Sequence, residues 1–208
     1  MAEVHEPFAT PGQQREAAMM GMYIFLASEM MLFSGLFLVA LYLRLTHPQE
    51  VVAASRQMHV FLGAANTALL LSSSFLVALA VEAAEGGRAR PAARRLSAAV
   101  LLGFFFLALK AVEYRMEYGE KILPLPGAST DFFAPAQHAF MNLYLIATAL
   151  HAVHLTIGIG LLAVLAVRMQ RGTLDLPARR VVVTNAGLYW HLVDVIWIFL
   201  YPVFYLAR

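Results

Sequence analysis

Long runs of uncharged residues, separated by short polar connections, set the architecture of this chain. A hydrocarbon core of about 30 Å needs roughly 20 residues of helix at 1.5 Å per residue. Five stretches meet that length: residues 18–43, interrupted only by Glu29; 58–81, without a charge; 96–114; 136–167, without Asp, Glu, Lys or Arg; and 186–206. The third is the most polar, because its apolar part meets Lys110 and then Glu113. Lys110 either extends its stem toward the interface or pairs with Glu113 three positions on. Helix-breaking or turn-forming residues mark the connections: His47-Pro48, Gly86-Gly87, Pro124-Leu125-Pro126-Gly127, and Arg171-Gly172 with Pro177. With no internal repeat and no long linker, the expectation is an all-α integral membrane protein. It has a polar segment over residues 1–17 on the cytoplasmic side, followed by one bundle of five transmembrane helices over 18–208.

Composition sharpens this picture. Hydrophobic residues make up 61% of the chain and charged ones 13%, about half the charged share of a soluble domain. The absence of cysteine excludes a disulfide framework, an iron–sulfur cluster, a covalently attached c-type haem and a thiolate copper site. The arginines lie in short loops between apolar runs rather than on one surface, so no nucleic-acid partner is expected. They set orientation instead. Nine basic residues fall on one side (Arg15, Arg88, Arg90, Arg94, Arg95, Arg168, Arg171, Arg179, Arg180) and five on the other (Arg44, Arg56, Arg115, Lys121, Arg208). The positive-inside rule then places the N-terminus in the cytoplasm and the C-terminus outside. Residues 1–15 lack a basic start and a short apolar core, so the first helix is expected to act as its own insertion signal.

Polar residues inside the spans are the candidates for chemistry, because a charge at mid-bilayer costs roughly 2.5–3.5 kcal/mol by insertion scales. Glu29 reads either as a proton-relay or buffering acid, or as a neutral glutamic acid hydrogen-bonded within the bundle. Lys110 and Glu113 read as a structural ion pair, near enough to an interface for partial solvation. His151 and His154 stand one turn apart and could hold a metal with carboxylates from facing helices, or hydrogen-bond Glu113, Asp194 or a backbone carbonyl. Haem ligation by His59, His151, His154 or His191 has nothing but the imidazoles in its favour. His191 and Asp194, three residues apart in the last span, share a face on which they can hydrogen-bond. Tyr189, Trp190, Tyr201 and Tyr205 suit interfacial belts, and Trp190 and Trp197 share a face. Gly158, Gly160, Ala147 and Ala152 permit close helix approach, while Asn66, Thr67 and Ser72-Ser73-Ser74 can hydrogen-bond within or between helices. Phe104-Phe105-Phe106 reads as lipid-facing or packed bulk.

Four blocks resemble subunit III of the haem–copper oxidases. They are Gly21-Met22-Tyr23-Ile24-Phe25-Leu26-Ala27-Ser28-Glu29; Asn66-Thr67 leading into a Leu/Ser-rich helix; Lys110-Ala111-Val112-Glu113-Tyr114; and His151-Ala152-Val153-His154 together with Tyr189-Trp190-His191-Leu192-Val193-Asp194-Val195-Ile196-Trp197. The last is the most specific. The resemblance implies the five-helix form, lacking the two amino-terminal helices of the seven-helix form. It also implies a subunit without haem or copper of its own, those centres lying in the partner subunits I and II. Bound phospholipid in an interhelical cleft, a role in sustaining proton uptake by the catalytic subunit, and a bacterial inner-membrane location follow from it too. Glu29 matches the family acid that reacts with carbodiimides.

Cytochrome c oxidases, quinol oxidases and the accessory protein of nitric oxide reductase share this scaffold, and Ser28-Glu29 favours the cytochrome c branch. A reading from another class is a small proton-coupled transporter with Glu29 and Asp194 as its relay. The lack of an inverted repeat and of Gly- or Pro-broken helices at matching positions argues against it.

Overall fold

The computed structural model describes residues 10–120, 122, 134–174, 176 and 180–207. The connection Pro124-Leu125-Pro126-Gly127, Pro177, residues 1–9, and the basic residues Lys121, Arg179 and Arg208 lie outside the described residues. Among those described there are helices and no strands: α1 (Pro11–Thr46), α2 (Pro48–Arg56), α3 (Val60–Glu85), α4 (Ala89–Gly119), α5 (Pro135–Gln170) and α6 (Arg180–Tyr205). Five are long and apolar enough to cross a membrane. Each outruns its apolar stretch, because a helix satisfies its own backbone and extends into the headgroup region at no cost.

The short α2 was not legible as a helix. Its sequence PQEVVAASR follows His47 directly, with Pro48 at the first helical position, where a missing N–H costs nothing. Val51, Ala54 and Ser55 are buried, and the Ser55 hydroxyl donates to the Phe204 carbonyl at 2.8 Å. This ties α2 to the end of α6. The Arg44 guanidinium likewise donates to the Ala207 carbonyl. At the opposite end Gly87 (φ 70°) and Gly172 (φ 68°) take left-handed conformations that let α3 and α5 stop within one residue.

α3, α4, α5 and α6 form the packed body. α1 packs against α5, α6 and α2. Lipid offers helices no hydrophobic incentive to associate, so close approach must come from shape. Trp190 of α6 shows how. A Cβ at Gly103 of α4 would lie 3.0 Å from its ring and 2.9 Å from Ile159, and one at Gly158 of α5 would also lie 3.0 Å from the ring. The indole is fully buried between two hydrogen-only surfaces.

Two expectations change here. Gly160 has nothing within 4 Å of a Cβ and plays no part in close approach. Tyr189, Trp190 and Tyr205 are buried between helices rather than set in an interfacial belt, because α6 packs against α1, α3 and α5. The phenylalanine run divides: Phe104 and Phe105 face outward and Phe106 is in the core.

Gly103→Val is expected to destabilise the detergent-solubilised protein by about 1–3 kcal/mol through overpacking against Trp190, read as a lower melting temperature. Gly160→Ala should not lower it, since Ala is the better helix former.

Candidate functional site

The polar residues of the spans gather in three centres at different helix junctions. The first is built on a stripe of α4. Lys110, Glu113 and Glu117 recur at spacings of three and four residues, so they share one face. That face meets α5 and α6 and leaves Lys110 3% and both glutamates 0% exposed. The ammonium donates to Glu113 Oε2 at 3.1 Å, to the Tyr144 hydroxyl at 2.8 Å and to the Tyr205 hydroxyl at 2.6 Å, which uses all three of its hydrogens. Tyr205 donates in turn to Glu113 Oε1 at 2.6 Å, and Tyr144 to Glu117 at 3.0 Å. The rings of Tyr114, Tyr144, Trp197 and Tyr205 surround the nitrogen with centroids 4.7–5.4 Å away.

The expected Lys110–Glu113 pair is therefore present, but the partial solvation is not. α4 continues past it to Gly119, and α5 and α6 close over it. Glu117 joins the pair as a third buried member of the cluster. Its spacing from Glu113 was the available signal. Tyr144 and Tyr205 gave none, since a tyrosine near a span end reads equally well as interfacial.

The second centre joins α1 to α5. Glu29 Oε2 and His154 Nε2 are 2.8 Å apart, with 16% and 12% of their side chains exposed. His154 Nδ1 lies 2.8 Å from the Leu150 carbonyl, which can only accept, so Nδ1 carries a hydrogen. Nε2 then either accepts from a neutral Glu29 or, in an imidazolium, donates to the carboxylate. In both cases one proton sits between the two groups. The Phe33 ring packs edge-on against the imidazole at 5.5 Å, and the Tyr189 hydroxyl donates to the His154 carbonyl.

The third lies where α3 meets α6. His191 Nδ1 is 2.6 Å from the Ser74 hydroxyl. The hydrogen bond expected between His191 and Asp194 does not form. Asp194 is 3% exposed, and neither carboxyl oxygen has a partner within hydrogen-bond geometry, although Ser74 also stands beside it. The two share a flank of the helix, but Ser74 of the facing helix takes up the imidazole.

His151 and His154 do not converge. His151 points inward, fully buried, between the rings of Phe106 (5.7 Å) and Trp197 (5.2 Å), and neither ring nitrogen is hydrogen-bonded. The bonds it could have made to Glu113, Asp194 or a carbonyl are absent. Asn66 is also buried with its amide unpartnered, whereas Thr67 accepts from the Trp197 indole at 3.1 Å and Ser73 donates across to the Ala99 carbonyl of α4 at 3.2 Å. Among the described residues no three His, Asp or Glu side chains are grouped as metal ligands. The arrangement can hold protons and fix helix rotations.

The fold and these centres define a polytopic helical membrane protein whose polar groups are turned between its helices. The sequence profile of the family described as Cytochrome c oxidase subunit III matches residues 9–207. The cytochrome c oxidase subunit 3 of Gallus gallus is 31% identical over 193 residues, covering 89% of this chain and 67% of that protein. That of Thermostichus vulcanus is 30% identical over 188 residues, covering 90% and 86%. A probable cytochrome c oxidase subunit 3 of Mycobacterium tuberculosis is 29% identical over 190 residues, covering 90% and 87%. The chain belongs to the cytochrome c oxidase subunit III family, a membrane-embedded part of the multi-subunit haem–copper oxidases.

Lys110→Met leaves two buried carboxyl groups without their cation and should cost about 3–5 kcal/mol of stability, measured by denaturant titration in detergent. Adding Glu113→Gln should recover part of that loss. A double variant no more stable than the single one would show that the charges are not coupled.

Proposed function

We propose that this chain is the non-catalytic third subunit of a bacterial aerobic terminal oxidase of the cytochrome c type. Subunits I and II carry the haems and copper, and this chain carries no redox centre of its own. It flanks the catalytic subunit in the inner membrane, with its N-terminus in the cytoplasm and its C-terminus outside. There it stabilises that subunit, holds phospholipid between helices and supports proton uptake during oxygen reduction. The observation that carries this reading is the family match over residues 9–207. Two features support it further. The excess of basic residues on one side favours the stated orientation. Glu29 also has the setting expected of an acid that exchanges protons: its carboxyl shares one proton with His154 and remains partly open to the membrane at the junction of α1 and α5. In this reading Glu113, His151, His191 and Asp194 shape the bundle around that acid.

Purification through a tag on this chain in mild detergent should bring a complex whose reduced-minus-oxidised spectrum shows haem a bands. Haem b with bound haem c in place of haem a would move the chain to a nitric oxide reductase, and a colourless, monodisperse product would overturn the oxidase reading.

Within the assembled oxidase, a hydrophobic carbodiimide should label this chain at Glu29. Glu29→Ala should abolish the label and shorten the time over which turnover is sustained. An unchanged labelling yield and lifetime would rule out the role given to this acid.

A further inference from the structure

Outward-facing polar side chains in the spans need a partner, because lipid supplies none. Most of them find it in their own helix. Ser28 and Ser34 donate to the carbonyls of Phe25 and Met30, Ser72 to that of Ala68, and Thr156 to that of Ala152. Glu29 and His154 satisfy each other. His191 is different. Its Nδ1 is engaged by Ser74, but Nε2 has no hydrogen-bond partner among the described residues and is not enclosed by protein. Counted along α6, it lies about 8 Å inside the apolar stretch that begins at Ala186. Val195 (45% exposed) and Ile198 (41%) follow it at spacings of four and seven residues, on the same face of α6, and Leu71 (49%) and Phe75 (65%) flank Ser74 along α3; all four are apolar and exposed. An imidazole nitrogen that is not enclosed, beside exposed apolar side chains, is the arrangement that polar contacts between transmembrane helices use.

We propose that the surface where α3 and α6 meet around His191 docks a membrane-spanning helix of another subunit, which presents a hydroxyl or amide side chain to Nε2. Either group can donate or accept and so fits both tautomers of an imidazole held by a serine. Ser74 holds the ring from within the bundle through Nδ1. The inference rests on the oxidase-subunit reading above, because it needs an assembly with further spanning chains.

A photo-reactive benzoylphenylalanine at Val195, in the complex in its native membrane, should crosslink this chain to another protein subunit identified by mass spectrometry. This probe leaves the imidazole and its neighbours untouched, so the outcome does not depend on how a His191 variant folds. Crosslinks to lipid alone, or to a second copy of this chain, overturn the proposal. His191→Leu should lower the amount of partner subunits recovered with the tagged chain by about tenfold, while His191→Gln, which keeps a hydrogen-bonding group, should retain most of it. Recovery with His191→Leu equal to wild type also overturns it. A wild-type chain that comes away alone overturns both this proposal and the oxidase-subunit reading, whereas haem-containing complexes with lipid-only crosslinks remove the docking surface and leave that reading standing.

Discussion

The ammonium of Lys110 is the group on which the rest of the bundle depends. Buried among α4, α5 and α6, it needs three acceptors, and each comes from a different helix: Glu113 from its own, Tyr144 from α5 and Tyr205 from α6. Helices in lipid lack a hydrophobic force that would fix their rotation about their own axes. A fully coordinated charge supplies that force, because a rotation large enough to lose one acceptor leaves a buried donor unmet. With α4, α5 and α6 set at this end, the glycines at 103 and 158 can receive Trp190 at the other. Polar coordination and close packing thus fix the same rotations at two depths.

α1 stands outside this scheme. It packs on α2, α5 and α6 and leaves most of its surface uncovered. Its mid-span link to the body is the Glu29–His154 contact, in which a proton rather than a full set of acceptors joins the helices. The second link is at its end, where Arg44 reaches the Ala207 carbonyl and α2 is pinned to Phe204.

Much of this was readable in the sequence, and the boundary of what was readable is physical. Helix number and approximate extent follow from the length of hydrocarbon to be crossed, so five spans could be counted without any knowledge of packing. A polar residue in an apolar run announces itself, which is why Glu29, Lys110, Glu113, His151, His154, His191 and Asp194 could be named. Partners on the same helix were accessible through spacing, as Lys110 and Glu113 were. Partners on other helices were not. Nothing in the chain says that Ser74 rather than Asp194 meets His191, that His154 turns to Glu29 while His151 turns to Trp197, or that Tyr205 is a core ligand and not an interfacial anchor. Those facts depend on helix rotation, and rotation is a property of the assembled bundle. The nine-residue α2 escaped for another reason: a short helix of mixed polarity at a membrane surface has no period long enough to detect.

The same distinction between closed and open polar groups separates structure from function in this subunit. The Lys110 cluster is closed: every hydrogen of the ammonium is used, its carboxylates are inside, and rings cover it. A closed cluster can hold a fold together but has no free position for exchange with anything outside. Glu29 with His154, and His191 with Ser74, are open. Each places a polar side chain at the edge of the bundle, partly accessible, and in the second the imidazole's Nε2 has no partner among the described residues. Open groups at mid-membrane carry a standing desolvation cost that a stable isolated bundle has no reason to retain. Their retention is accounted for if the energy is recovered on assembly, by proton exchange at one junction and by a neighbouring helix at the other. The two junctions lie on different flanks, α1 against α5 and α3 against α6, so a subunit built in this way can meet the membrane on one side and its complex on the other.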